Sequence, residues 1–197
     1  LAIISNQAFS LYNFRGNLIR AMNSAGVEVY ALAPDYDAET RSKVEALGAV
    51  PVDISLSRTG VNPLRDSFDL IRLVRVLKAI QPDVTFGYFV KPVIYGTIAA
   101  WLARVRKRVA LVAGLGFVFA SPGDSGSAPR RMLRYGVTQL YKLALNRANL
   151  VFFQNDDDMV LFVEAGVVPE HRAICVNGTG VDLDEWRIRE PCLQPVT

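Results

Sequence analysis

Four short stretches hold residue types that suit recognition of phosphate or sugar. Arg15-Gly16 opens the first helical pattern, Lys91 stands just before an apolar helical run, Gly114-Leu115-Gly116 lies at the tip of an apolar strand, and Gly178-Thr179-Gly180 follows the last strand. A glycine at a strand tip lets a ligand approach the backbone, and an N–H at a helix start suits an anion. Arg15 reads either as a phosphate or sugar anchor or as a first-turn arginine. Lys91 reads either as a site residue or as an exposed loop lysine.

Other chemistries are poorly served. The stretch after the first strand is NQAFSLYNFRG, which lacks G-x-G-x-x-G, and no G-x-x-x-x-G-K-[ST] occurs, so dinucleotide and P-loop phosphate cradles are missing. There is no G-x-S-x-G elbow, and His171, the single histidine, sits in a polar turn, which leaves nucleophilic hydrolysis without a base. Asp156, Asp157 and Asp158 are hard oxygen ligands, yet with Asn155 as N-cap they fit the first turn of a helix better, where the dipole favours acids. No metal is expected. Cys175 and Cys192 form neither a disulfide framework nor a metal cluster, which suits a reducing cytoplasm.

These residues must be held by a scaffold, and the chain alternates strand and helix patterns. Strands are expected at Leu1 to Ser5, Val27 to Ala33, Ala49 to Ile54, Asp83 to Phe86, Val109 to Ala113, Leu150 to Phe153 and Arg172 to Val176. Between them lie helical patterns over Asn13 to Ala25, Ala38 to Leu47, Pro63 to Ile80, Pro92 to Val105, Arg130 to Ala148 and Asp156 to Ala165. The third has Asn62 at its N-cap and Pro63 at N1. Near-continuous apolar strands separated by helices make an α/β, Rossmann-like, doubly wound parallel sheet, whose ligands bind at the carboxyl ends of the strands. Ser121 to Pro129 switches to small, turn-forming residues and predicts a mobile loop within the domain.

At 197 residues and 51% apolar composition, one domain with a sizeable core is expected. The longest apolar stretch, Val109 to Ala120, is too short for a membrane span, which takes roughly 20 residues. Charge is segregated: residues 101–150 hold nine Lys or Arg against one acid, and residues 151–197 hold three against nine. The basic block is either a solvated helix face or a surface for an anionic partner such as phospholipid. The leucine at position 1 opens directly in an apolar run, so a longer natural start is expected.

In order along the chain, NFRGNLIRAMNSAGVEVYALAP, VKPVIYGTIAAWLAR, VALVAGLGFVF, LVFFQNDDD and VNGTGVDLDEW resemble the N-terminal half of family 4 glycosyltransferases of the GT-B fold. The likeness is to the subgroup that adds sugars to undecaprenyl-diphosphate-linked intermediates in surface polysaccharide, lipopolysaccharide or glycoprotein glycan assembly. The resemblance implies an acceptor-binding domain over residues 1–190, the start of an interdomain linker at 191–197, and a donor-binding domain absent from this chain, so that the chain alone is inactive. It implies a UDP-sugar donor, a lipid-diphosphate-linked glycan acceptor, retention of configuration without a metal or cofactor, no nucleic acid, and a place on the cytoplasmic face of the membrane. Carried over by residue, the Gly16 backbone N–H would meet the donor diphosphate at a helix N-terminus, flanked by Asn13 and Arg15. Lys91, Tyr95, Gly114 and Gly116 would line the acceptor side, with Asn155 at a neighbouring strand end. Where many relatives carry a histidine after the fourth strand, this chain has Tyr88 and Phe89. A 2-epimerase of UDP-N-acetylglucosamine shares this architecture, and a non-catalytic module binding a lipid phosphate or partner is the other alternative.

Overall fold

A computed structural model of the chain describes residues 1–57, 62–114 and 128–180. Gly116, most of the expected loop at 121–129, and the boundary and linker at 190–197 lie outside the described residues.

The apolar runs form seven parallel strands, β1 (Ala2–Ile4), β2 (Tyr30–Ala33), β3 (Val50–Asp53), β4 (Val84–Tyr88), β5 (Lys107–Val112), β6 (Leu150–Phe153) and β7 (Ala173–Cys175), in the order 3-2-1-4-5-6-7. The helices are α1 (Ala8–Ser24), α2 (Ala38–Ala46), α3 (Pro63–Ile80), α4 (Thr97–Leu102), α5 (Ala128–Leu145) and α6 (Asp156–Glu164). The expected doubly wound sheet is therefore the observed one.

Strand side chains alternate between two cores, as a period of two requires. On one face Ile3, Ala31, Ala33, Tyr88 and Leu111 pack with Leu11 and Ile19 of α1 and Val44 of α2. On the other, Ala2, Ile4 and Leu32 meet Leu73 and Leu77 of α3, while Ala110, Val112, Val151 and Phe153 meet Tyr141 and Leu145 of α5 and Phe162 of α6. Sheet order reverses where β1 separates β2 from β4, so the loops after β1 and β4 diverge to opposite faces and leave a crevice between them.

Two helices depart from the sequence reading. The first begins at Ala8, not Asn13, because its start is supplied from afar: the Ala8 N–H donates to Asp35 Oδ1 at 2.6 Å from the loop after β2. Gln7, at the N-cap, makes no side-chain cap bond, so local sequence carries no start signal there. The single helix expected over Pro92 to Val105 is instead a π-helical turn, Pro92–Gly96, running into α4. Gly87 permits this turn to press on β4, since a Cβ there would stand 2.8 Å from the Pro92 carbonyl oxygen. Smaller shifts occur in α5, which starts at Ala128 inside the expected loop, and in β4, which continues to Tyr88. No helix among the described residues is long and apolar enough to cross a membrane.

Candidate functional site

The crevice between the β1 and β4 loops opens into a pocket of about 310 Å³ lined by Asn6, Gln7, Phe89, Lys91, Gly114 and Tyr141, among others. Its residues come from where the fold dictates: Asn6 and Gln7 end β1 and start α1, Phe89 and Lys91 end β4, and Gly114 ends β5. Two of these backbones are special. Phe89 has φ +70°, a conformation that a bulky residue adopts at a cost of order 1–3 kcal/mol, and it turns the chain sharply from β4 into the Lys91 segment. Gly114 has φ +94°, and no described residue comes within 4 Å of a Cβ placed on it.

A polar cluster stands beside this pocket. The Lys91 ammonium donates to Asp66 Oδ1 and to Ser57 Oγ, both at 2.7 Å, and the Tyr95 hydroxyl donates to Asp66 Oδ2 at 3.1 Å. Asp66 is 1% exposed and Lys91 9%, so both charges have left water and depend on each other. Tyr95 has its pKa pushed up to about 12, first by burial and then by the neighbouring Asp66 carboxylate, and its phenol remains a proton donor at neutral pH. Two of the three ammonium hydrogens are thus committed and the charge is neutralised. The cluster offers the pocket a fixed donor, not a naked cation. Nearby, the Asn6 side chain is buried and its Oδ1 has no partner among the described residues, a polar atom that a ligand at the start of α1 could satisfy.

Arg15, Gly16 and Asn13 stand elsewhere. With α1 starting at Ala8, Gly16 falls in the middle of the helix, and its N–H belongs to the helical ladder and is not free for a diphosphate. A Cβ on Gly16 would meet Leu47 of the α2 layer at 3.7 Å. This corrects the expectation that Arg15-Gly16 opens the helix, on which the expected donor role of Gly16 rested. All three residues line a trough of about 910 Å³ on the α1 face, floored by Phe86, Leu111 and Phe152. Arg15 is buried there at 7% exposure, with its guanidinium 4.6 Å from the centre of the Tyr88 ring. Among the described residues it donates only to the Phe14 carbonyl, at 3.2 Å, and its Nε has no partner. Desolvation lowers its pKa. The trough is larger and mostly apolar, whereas the smaller pocket has the convergent polar groups, and we place the candidate site at the latter.

Asn155 is the N-cap of α6: its Oδ1 accepts from the Asp158 N–H at 2.7 Å and its Nδ2 donates to Asp158 Oδ2 at 2.9 Å. Asp156, Asp157 and Asp158 occupy the first helical turn, and no acidic, histidine or cysteine cluster able to hold a metal occurs among the described residues. The structure therefore brings Lys91 and Gly114 to one crevice, with Tyr95 in the cluster beside it, and gives Asn155 a capping task. Sequence reading missed Asp66, Ser57 and Asn6. Asp66 had a signal: the buried stripe Leu77, Leu73 of α3, continued backwards at helical spacing, lands on Asp69 and Asp66, two acids at core positions.

Comparison with known proteins adds a family to this geometry. Over 186 residues the chain is 26% identical to the N,N'-diacetylbacillosaminyl-diphospho-undecaprenol alpha-1,3-N-acetylgalactosaminyltransferase of Campylobacter jejuni, covering 94% of this chain and 48% of that protein. The chain thus spans about half the length of this relative. Among solved structures, Staphylococcus aureus MnaA with UDP superposes with a TM-score of 0.59 at 17% identity, covering 95% of this chain and 46% of that one. A glycosyltransferase of Rickettsia africae gives 0.60 at 10% identity, covering 94% and 44%. A UDP-N-acetylglucosamine 2-epimerase gives 0.62 at 14% identity, covering 98% and 52%. Likeness at these identities establishes the fold, which transferases and epimerases share. Residues 2–155, which carry β1 through β6 and the whole Lys91 crevice, match the family described as Glycosyl transferase 4-like, and the chain belongs to that family.

Proposed function

We propose that this chain is the acceptor-side half of a retaining glycosyltransferase that moves a sugar from a UDP-sugar to a lipid-diphosphate-linked glycan of surface polysaccharide or lipopolysaccharide assembly. The observation that carries the reading is the Lys91–Asp66–Tyr95–Ser57 cluster at the strand-end crevice of a glycosyl transferase 4-like chain. A neutralised ammonium with one N–H uncommitted among the described residues suits a hydroxyl-bearing ligand such as an acceptor sugar. The start of α1, with Asn6 beside it, is the place on this domain best suited to meet leaving-diphosphate charge, in the manner of fixed donors aimed at developing negative charge. No metal is required in this scheme. A second domain carries the nucleotide, and the reaction takes place on the cytoplasmic face of the membrane, where the acceptor lipid resides.

The test is transfer of radiolabelled sugar from a panel of UDP-sugars to undecaprenyl-diphosphate-linked acceptors, including the N,N'-diacetylbacillosaminyl acceptor named for the Campylobacter relative. The protein from the full gene is assayed beside the 197-residue chain. Transfer by the former and none by the latter is expected. Failure of both across donors and acceptors, or interconversion of UDP-N-acetylglucosamine with its 2-epimer, would overturn the reading.

A further inference from the structure

The exposed side of α3 is built unlike that of a solvated helix. Leu64, Phe68 and Ile71 are 77%, 66% and 50% exposed, and their spacing of four and three residues sets them in one narrow stripe. Arg75 and Lys78 continue that stripe toward the far end of the helix, with Arg65 and Arg72 alongside, all four exposed. The helix has two acids, Asp66 and Asp69, and both are buried. The surface it turns outward therefore carries four cations, three large apolar side chains and no carboxylate.

Placement adds to this. Helices α3, α4 and α5 share one face of the sheet, and α3 and α5 both begin at the edge where the strand ends open into the crevice. The first half of α5 exposes Met132 at 79% and Tyr135 at 67% beside Arg131, and α5 has no acidic residue. Val90, next to Lys91, is also exposed. Large apolar side chains thus cluster along the crevice end of both helices. Arg104, Arg106, Lys107 and Arg108, the densest part of the basic block, instead lie at or just before the start of β5, at the opposite edge. There Arg108 is occupied with the Arg147 and Val105 carbonyls.

From this arrangement we infer that the α3 stripe, with the first turns of α5, is an interfacial surface for an anionic lipid bilayer, holding the crevice mouth against the membrane. The inference rests on the proposed lipid-linked acceptor and names the surface that reaches it. Leu64, Phe68 and Ile71 enter the boundary between headgroups and acyl chains, and Arg65, Arg72, Arg75 and Lys78 neutralise lipid phosphates. The basic block at the start of β5 points away and takes no part.

Vesicle flotation tests it, using phosphatidylglycerol–phosphatidylethanolamine vesicles against phosphatidylcholine alone. The chain is expected on the anionic vesicles, with binding that falls as salt shortens the Debye length. Phe68→Ser should weaken binding about tenfold and the Leu64→Ser/Phe68→Ser/Ile71→Ser variant a hundredfold or more, about what removing that much insertable apolar surface predicts. Each Arg→Gln change at positions 65, 72 and 75 should cost about fivefold. Arg104→Gln/Lys107→Gln should bind as the parent does. All these side chains are exposed, and unchanged thermal unfolding would confirm intact folds. Equal binding to both vesicle types, stripe variants that bind like the parent, or loss of binding in the Arg104/Lys107 variant would overturn the inference. A concentration-dependent dimer dissolved by the stripe changes, with vesicle binding intact, would assign the face to a second copy and overturn it too. Vesicle binding is read without sugar transfer, so a chain that binds but belongs to an inactive protein refutes only the transferase reading.

Discussion

Two buried cations, Arg15 on the α1 face and Lys91 at the crevice, have been taken out of water by opposite means. Lys91 is held by a carboxylate, a hydroxyl and, through the carboxylate, a phenol. Arg15 has no carboxylate within ion-pair distance among the described residues and rests on the Tyr88 ring, with the Phe86 ring 6.0 Å away. A guanidinium is weakly hydrated and stacks on aromatic faces, so it tolerates such a niche; an ammonium is a compact, strongly hydrated point charge and does not. The contrast also separates tasks. The Lys91 cluster is an arrangement of directed hydrogen bonds at a pocket, and Arg15 is chiefly a packed side chain that closes the gap between α1 and β4.

The contrast breaks most sharply at Asp66. Asp66→Ala leaves a buried ammonium without its counter-charge, and the expected loss is about 3–5 kcal/mol of unfolding free energy. The double change Asp66→Leu/Lys91→Met removes both charges while keeping volume, and should recover most of that loss. Urea unfolding of the three proteins decides it: a double variant as unstable as Asp66→Ala would mean that the pair is not the source of the cost. On the proposed function, the same double variant in the full-length protein should raise the acceptor KM while leaving the donor KM unchanged, because the fold is restored but the fixed donor is gone.

Arg15→Met tests the other side of the comparison. It keeps the stem that packs on Tyr88 and deletes a desolvated charge with no acidic partner among the described residues, so the stability change should stay within about 1 kcal/mol of the parent. Lys91→Met, which strands Asp66 in the same way that Asp66→Ala strands Lys91, should lose several times as much by the cited range. Equal losses for the two methionine variants, measured in the same urea titrations, would erase the distinction between a stacked and a paired cation.

What the sequence made legible follows the same division between local and distant causes. Strand and helix order could be read because apolar runs and helical spacing are local, and Asn62 and Asn155 were recognisable caps because an Asx side chain bonds a backbone N–H three residues on. The start of α1 was not legible, since Asp35 caps it from 27 residues away in the chain. Nor was the partnership of Lys91: Asp66 and Ser57 lie 25 and 34 residues before it and meet it only when α3 packs beside the β4 loop. Lys91 and Gly114, both picked out from sequence, line one crevice, and Tyr95 joins Lys91 through Asp66 beside it. Arg15 and Gly16 were expected at the helix start and stand in mid-helix for a single reason, a helix that starts five residues earlier than Asn13.

That misplacement yields the mildest test. At a helix N-terminus against a diphosphate, any side chain on Gly16 would intrude on ligand space. In mid-helix, glycine is a conformational cost of about 0.5–1 kcal/mol relative to alanine, because its backbone loses more freedom on folding. The space a methyl needs is present, since the nearest atoms to a Cβ on Gly16 are the Leu47 methyl groups at an ordinary 3.7 Å. Gly16→Ala should therefore stabilise the chain by about 0.5–1 kcal/mol in denaturant unfolding and leave the proposed sugar transfer of the full-length protein unchanged. A stabilised but inactive variant would return Gly16 to the reaction path, and a destabilised one would mean that α1 sits closer to α2 than the Leu47 contact indicates.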